Sequence, residues 1–239
     1  MNFIEFEKEM KKHLEKLNIK LEITQIEAFY NYMNTLLTWN KNINLTAITD
    51  EKDIILKHFI DCLTINKYVE DKCTVLDMGT GAGFPGIPLK IVNKKNNFIL
   101  VDSLNKRVNF LKEIKQQLKL EKLEIIHARA EDLAYNGTYR EKADIAVSRA
   151  VSNLSTLAEY MLPFVKIGGL CIAMKGSNIV EEVENSKNSL DILGGKIENI
   201  DNTLLPDSDI ERNIIIIKKV KKTPVNFPRK AGIPAKKPL

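Results

Sequence analysis

Residues Val75–Gly86 read VLDMGTGAGFPG, four glycines inside eight residues, directly after a short apolar run. An apolar run of this length closed by glycines predicts a buried strand ending in a tight loop, where missing side chains let backbone approach a ligand. The loop satisfies two patterns at once, Gly79-x-Gly81-x-Gly83 and Gly81-x-Gly83-x-x-Gly86. The second is the dinucleotide form, in which a helix N-terminus meets a pyrophosphate. The first asks only for close backbone approach and suits a nucleoside or amino-acid ligand equally.

Downstream of Cys73, β-rich runs alternate with helical stretches: TVLDM then PGIPLKIV, FILVD then LNKRVNFLKEIKQQL, LEIIHA, ADIAVS then LSTLAEYMLPFV, and GLCIAMK then IVEEVENSKNSLDIL. Such alternation builds βα units around a parallel sheet with ligand sites at the carboxyl ends of the strands. GGKIENI and NIIIIKKV have no helix between them and predict a terminal hairpin, hence a mixed edge to a seven-stranded sheet. Upstream, residues 1–70 read as helices. In TQIEAFYNYMNTLLTWN the apolar residues Ile26, Phe29, Tyr30, Met33, Leu36 and Leu37 recur at helical spacing, with Thr24 and Glu27 as a capping box, and another helix follows Asp50. The expected organisation is a helical N-terminal extension (1–70), a Rossmann-like α/β domain (71–222) and a basic, proline-rich tail (223–239).

Apolar residues at 44% and charged residues at 28% are ordinary for a globular chain, and no apolar run is long enough to span a bilayer. MNFIEFEKEMKKHLEKL mixes acids with lysines and lacks an apolar signal core, so a cytoplasmic, monomeric protein is expected. Cys62, Cys73 and Cys171 form no CxxC pair, and His13, His58 and His127 are scattered, which speaks against a disulfide framework and against a metal site. The net charge of +5 is unevenly distributed: eight of the 36 bases lie between Lys218 and Leu239 with no acid, leaving 28 bases against 31 acids, a net of −3, elsewhere. A basic terminus spaced by Pro224, Pro228, Pro234 and Pro238 suits phosphate contacts with nucleic acid; a solvated tail is the equal alternative.

Asp77, at the end of the first strand, would repel a pyrophosphate but could meet a ligand's ammonium group, directly or through water. Asp102 ends the next strand, 19 residues after Gly83, where an acid grips ribose hydroxyls. An adenosine-bearing cofactor with an amino-acid end and no phosphate is S-adenosylmethionine, and the architecture then reads as a methyltransferase. After the fourth strand stand Ser148, Arg149 and Ala150, neither an Asn/Asp-Pro-Pro-aromatic element for exocyclic amines nor a cysteine for pyrimidine C5. N7 of guanine carries a free in-plane lone pair, and its methylation needs alignment and electrostatics more than a base.

WNKNINLTAITD (39–50), LKHFIDCL (56–63), DMGTGAGFPGIPL (77–89), VDSLNKRVNFL (101–111), HARAED (127–132), SRAV (148–151), MKG (174–176) and PRKAGIPAKKPL together resemble the RsmG, or GidB, family of bacterial small-subunit ribosomal RNA guanine-N7 methyltransferases, over nearly the whole chain. Cys62 replaces the serine of the family's usual HFxDSL pattern. The resemblance implies a target guanine in the decoding-region loop of 16S rRNA, with the small ribosomal subunit as partner. It implies cofactor contacts at Gly79, Phe84, Ala130, Glu131 and Arg149, and the loop and strand-end arguments add Asp77, Gly81, Gly83, Asp102 and its neighbour Ser103. Arg149 is the candidate catalytic residue, orienting guanine or a flanking phosphate where the reactive methyl is exposed; a salt bridge to Asp77 or Asp61 is its structural alternative. His58, Asp61, Lys106, Arg107, Arg129, Lys175, Arg229 and Lys230 are substrate candidates. Tyr30 and Trp39 suit either base stacking or the core. A nicotinamide oxidoreductase and a non-catalytic ribosome-assembly factor are the competing readings.

Overall fold

The structure, a computed structural model, describes residues 1–239. Helix α1 (Phe3–Lys16) begins with a reciprocal cap, Asn2 and Glu5 each accepting the other's backbone N–H at 3.0 Å. Helix α2 (Ile23–Asn40) is capped two residues before the expected Thr24. Its capping residue is Glu22, whose N–H donates to Gln25 Oε1 at 3.0 Å, so the Thr24–Glu27 box does not form. Gln25 wins because its amide also donates to the Ile91 carbonyl at 2.8 Å, a buried tie that an exposed Glu27 cannot make. Asp50 caps the next helical segment by accepting from Asp53 N–H at 3.0 Å. That segment runs through α3 (Glu51–Ile54), a π-helical stretch (Ile55–Ile60) and α4 (Asp61–Leu63).

The remaining chain alternates as β1 (Thr74–Met78), α5 (Gly86–Val92), β2 (Asn97–Asp102), α6 (Asn105–Gln117), β3 (Leu123–His127), α7 (Ala130–Leu133), β4 (Ala143–Arg149), α8 (Leu154–Met161), β5 (Val165–Lys175), α9 (Val180–Leu193), β6 (Gly195–Leu204) and β7 (Glu211–Lys219). A short α10 (Ile233–Lys236) follows in the tail. The sheet order is β3-β2-β1-β4-β5-β7-β6, and only β7 runs antiparallel to its neighbours. All seven expected strands form, and the β6–β7 hairpin supplies the mixed edge. The run Ile214–Ile217 is apolar at every position because β7 lies inside the sheet, with both faces covered.

Alternate side chains of each strand feed two cores. Val75, Leu100, Ile172 and Ile214 pack with α1, α2 and the π-helical segment, through Phe6, Phe29, Tyr32 and Phe59. Leu76, Met78, Ala146 and Ile215 face the other way, onto α8 and α9. The N-terminal helices thus share a single core with one face of the sheet. Strand order reverses between β1 and β4, which opens a crevice at their carboxyl ends, just where the glycine loop sits.

Candidate functional site

The glycines after β1 serve two purposes. Gly79 and Gly81 have φ of +72° and +63°, and a Cβ built on Gly81 meets nothing within 4 Å. That open side faces the crevice. A Cβ on Gly79 would lie 2.8 Å from Val151 Cγ2, so the loop after β4 rests directly on Gly79. Gly83 and Gly86 look inward. A Cβ on Gly83 would come within 2.6 Å of Ile87 and 2.8 Å of the Tyr32 hydroxyl, and one on Gly86 would overlap Leu100 and stand 2.7 Å from Asp77 Oδ2. At Gly83, expected among the cofactor contacts, the space a side chain would take is filled by packing, and Gly86 opens α5 as expected. Tyr32, on α2, donates its hydroxyl to the Ala82 carbonyl and holds the loop from beneath.

The two strand-end acids bind the loop itself. Asp77 is fully buried, and its Oδ2 accepts from Thr80 Oγ1 at 2.6 Å and Gly86 N at 2.7 Å. Its Oδ1 is buried without a partner, and burial pushes the carboxyl up to about 7. Asp77, expected to meet a ligand's ammonium group directly or through water, closes the loop from inside. Asp102 accepts from Gly81 N through Oδ2 and from Leu104 N through Oδ1, both at 2.9 Å, with Arg107 Nη1 at 3.5 Å. It therefore ties the end of β2 to the backbone of the glycine loop at Gly81. Ser103 beside it is exposed, and its carbonyl accepts from His127 Nε2 at 3.0 Å.

Arg149 ends β4 inside a set of acceptors. Nη1 donates to the Lys57 carbonyl and Asp61 Oδ2, each at 3.1 Å, and Nη2 donates to His58 Nδ1 at 3.0 Å. Of the two salt bridges considered for it, Asp61 is the one formed. Because guanidinium only donates, Nδ1 must be the accepting nitrogen and Nε2–H donates to Thr46 Oγ1 at 2.8 Å. Burial, then the Arg149 charge, lower His58 to about 3, so its imidazole is neutral. Phe84 is buried against both partners, its ring centroid 4.4 Å from that of His58 and 4.9 Å from the Arg149 guanidinium carbon. Asp61 takes a second arginine, Arg212, whose Nε is 3.0 Å from Oδ1. His58 and Asp61, three apart on one helical segment, thus do face the same way, and the π-helical turn between Ile55 and Ile60 aims them at β4.

The remaining candidates divide. Ala130 and Glu131 begin α7 beyond β3, both nearly buried. Lys106, Arg129 and Lys230 are exposed around this edge, and Arg107 is half-buried beside Asp102. Lys175, expected at a phosphate rim, has its Nζ bound by the Ser152 carbonyl and Glu182, so it steadies the loop that carries Val151. Arg229, also expected on the substrate side, is paired with buried Glu159 through Nη2–Oε2 at 2.7 Å. Tyr30 and Trp39 are packing residues, Tyr30 edge-on to Phe3 at 5.5 Å and Trp39 edge-on to Phe110 at 5.6 Å. Tyr32, Val151, Glu159 and Arg212 were not singled out. Glu159 carried a readable signal, a lone acid in the apolar helix LSTLAEYM, which demands a buried partner.

A parallel sheet whose seventh strand in chain order is antiparallel, inserted between β5 and β6, a glycine loop after β1 and an acid at the end of β2 define the S-adenosylmethionine-dependent methyltransferase class. The TYW2 structure from M. jannaschii, in complex with AdoMet, shares this fold at a TM-score of 0.54, covering 67% of this chain and 75% of its own at 16% identity. A SAM dependent methyltransferase from Aquifex aeolicus gives 0.53, covering 76% and 98% at 17% identity. Within that class the chain belongs to the GidB family, rRNA small subunit methyltransferase G, whose family model matches residues 25–214. The ribosomal RNA small subunit methyltransferase G of Acetivibrio thermocellus is 54% identical over 222 residues, 92% of this chain and 91% of its own. Those of Desulforamulus reducens and Clostridium tetani are 50% and 48% identical, covering 96% and 93% of this chain and 97% and 94% of theirs.

Proposed function

We propose that this protein transfers a methyl group from S-adenosylmethionine to N7 of a guanine in the decoding-region loop of 16S rRNA. Family membership supports the reaction class. One observation carries the choice of atom: the two titratable side chains bonded to Arg149 are already engaged. His58 is neutral with both ring nitrogens bonded, and Asp61 gives one oxygen to each of two arginines. Such a site serves a nucleophile with a free lone pair, one that needs positioning and a matched electrostatic surface rather than proton removal.

The residues fit the cofactor. Gly81 leaves open space, Asp102 presents a carboxylate to that space, and Glu131 stands beyond the neighbouring strand end. Bound there by Gly79, Gly81, Asp102, Ala130 and Glu131, S-adenosylmethionine supplies an electrophilic methyl on a sulfonium. Three of the five guanidinium N–H donors of Arg149 are used by Lys57, Asp61 and His58, which lock its plane against Phe84. The other two are left for guanine O6 or an adjoining phosphate, and they fix the base while N7 attacks. The exposed bases Lys106, Arg129, Lys230, Lys236 and Lys237 give the RNA backbone its phosphate contacts. With Gly83 and Gly86 consumed by packing, the dinucleotide pattern loses two of its three glycines, and with them the basis of the nicotinamide reading.

The test is labelled-methyl transfer from S-adenosylmethionine to small subunits from a deletion strain, followed by borohydride and aniline treatment, which cleaves RNA at 7-methylguanosine. A single new cleavage in the decoding-region loop is expected. Incorporation without cleavage would move the methyl to another atom, and no incorporation would overturn the reaction.

A further inference from the structure

The tail crosses the outside of α7 and α8. Helix α8 is buried at every position but Tyr160, including the carboxylate of Glu159, and a helix apolar on all sides has to be covered on all sides. Sheet and α9 cover part of it, and residues 223–234 complete the cover. Glu159 Oε1 accepts from the backbone N of Arg229 at 2.6 Å and from its Nε at 3.0 Å, while Oε2 meets Nη2 at 2.7 Å. Thr156 Oγ1 donates to the Pro234 carbonyl at 3.0 Å, and Tyr135 Oη to the Pro228 carbonyl at 2.6 Å. Arg140 donates to the carbonyls of Thr223, Pro224 and Phe227, and also to that of Ala134 at the end of α7.

The contact that matters for chemistry is the last. Gly232, at φ +82°, turns its N–H onto Glu131 Oε1 at 3.0 Å. Helix α7 is four residues long and cannot order itself, so the direction of the Glu131 carboxylate depends on what grips it from outside. A carboxylate has about four acceptor sites, and one bond from Gly232 leaves the rest for a ligand. We propose that residues 223–234 are a positioning element for the cofactor pocket, holding Glu131 and α7 through the Arg229–Glu159 pair and the Gly232 N–H. This rests on the reading of Glu131 as a cofactor-side residue, and it gives Arg229, Glu159 and Gly232 a part in S-adenosylmethionine binding without contact to it.

Because the coupling is a linkage, it runs both ways: the docked tail strengthens cofactor binding, and bound cofactor strengthens tail docking by the same factor. Two measurements on the full chain test this. Calorimetric titration with S-adenosylmethionine is expected to show affinity falling roughly ten-fold in Arg229→Gln, with part of it recovered in Arg229→Lys. Hydrogen exchange on the unaltered protein is expected to show the amides of residues 229–233 slowing roughly ten-fold with saturating S-adenosylmethionine, a readout that needs no variant to fold. If the unaltered protein binds no S-adenosylmethionine, the cofactor reading itself fails. If it binds, and tail exchange does not respond, the positioning role is overturned; unchanged affinity in folded Arg229→Gln overturns it equally.

Discussion

The loop after β1 has an open half at Gly81 and a packed half at Gly83 and Gly86, and the two lack side chains for opposite reasons. A Cβ on Gly81 meets nothing within 4 Å, whereas at Gly83 and Gly86 the space is already filled by Ile87, Tyr32, Leu100 and Asp77. In the function proposed above the first half concerns a ligand; the second concerns folding. Substitution should separate the two. Gly86→Ala pushes a methyl onto Leu100 and Asp77 and is expected to cost about 3 kcal/mol or more in urea unfolding. Gly83→Ala combines a left-handed φ of +100° with contact against Ile87 and Tyr32, and about 2–3 kcal/mol is expected by the same measurement. Gly81→Ala meets no atom and carries only its backbone strain, about 1 kcal/mol. Its S-adenosylmethionine affinity, measured by calorimetry, should fall by more in energy than its stability does. Equal losses at Gly81 and Gly83 would erase the distinction between the halves.

A smaller effect sharpens the same contrast through pH. Buried Asp77, beneath the packing half, has its folded value raised to about 7, so the native state binds the extra proton. Its contribution to stability is present below the ordinary carboxylate range and is lost as pH rises toward 7. His58, behind the site, is lowered to about 3, and its contribution runs the other way: the unfolded imidazole takes the proton, so stability grows as pH rises from about 3 through 6.5. In denaturant midpoints measured from pH 4 to 7.5, Asp77→Asn should rise more steeply with pH than the unaltered protein, and His58→Gln less steeply. Parallel profiles would show that neither group is perturbed as its burial requires.

The strands were legible because each is a run of β-rich apolar residues bounded by turn residues, and the hairpin because no helical period separates GGKIENI from NIIIIKKV. His58 and Asp61 were legible as neighbours because their spacing alone puts them on one face. The partner of Arg149 was not, since Asp61 and Asp77 are equally acidic in sequence, and only burial of Asp77 beneath its own loop leaves Asp61 to pair. The inward duty of Gly83 depends on Tyr32, 51 positions earlier, and no local pattern reports such a neighbour. The tail misled for a related reason. The charge of residues 218–239 suggested phosphate contacts or a solvated arm, but two of the eight bases there, Lys219 at the end of β7 and Arg229 in the tail, are spent inside the fold, on the Leu162 carbonyl and on Glu159.

The contact between Tyr32 and the Ala82 carbonyl, set beside that between Gly232 and Glu131, has a consequence for the order of synthesis. The support beneath the glycine loop is translated before any strand, and the grip on Glu131 after all seven. A nascent chain can assemble the sheet and loop around α2 while still attached to the ribosome that makes it. By the positioning role proposed above, its pocket is finished only when the segment around Gly232 has emerged, so methyl-transfer competence arrives late, as a last step of maturation rather than with the sheet.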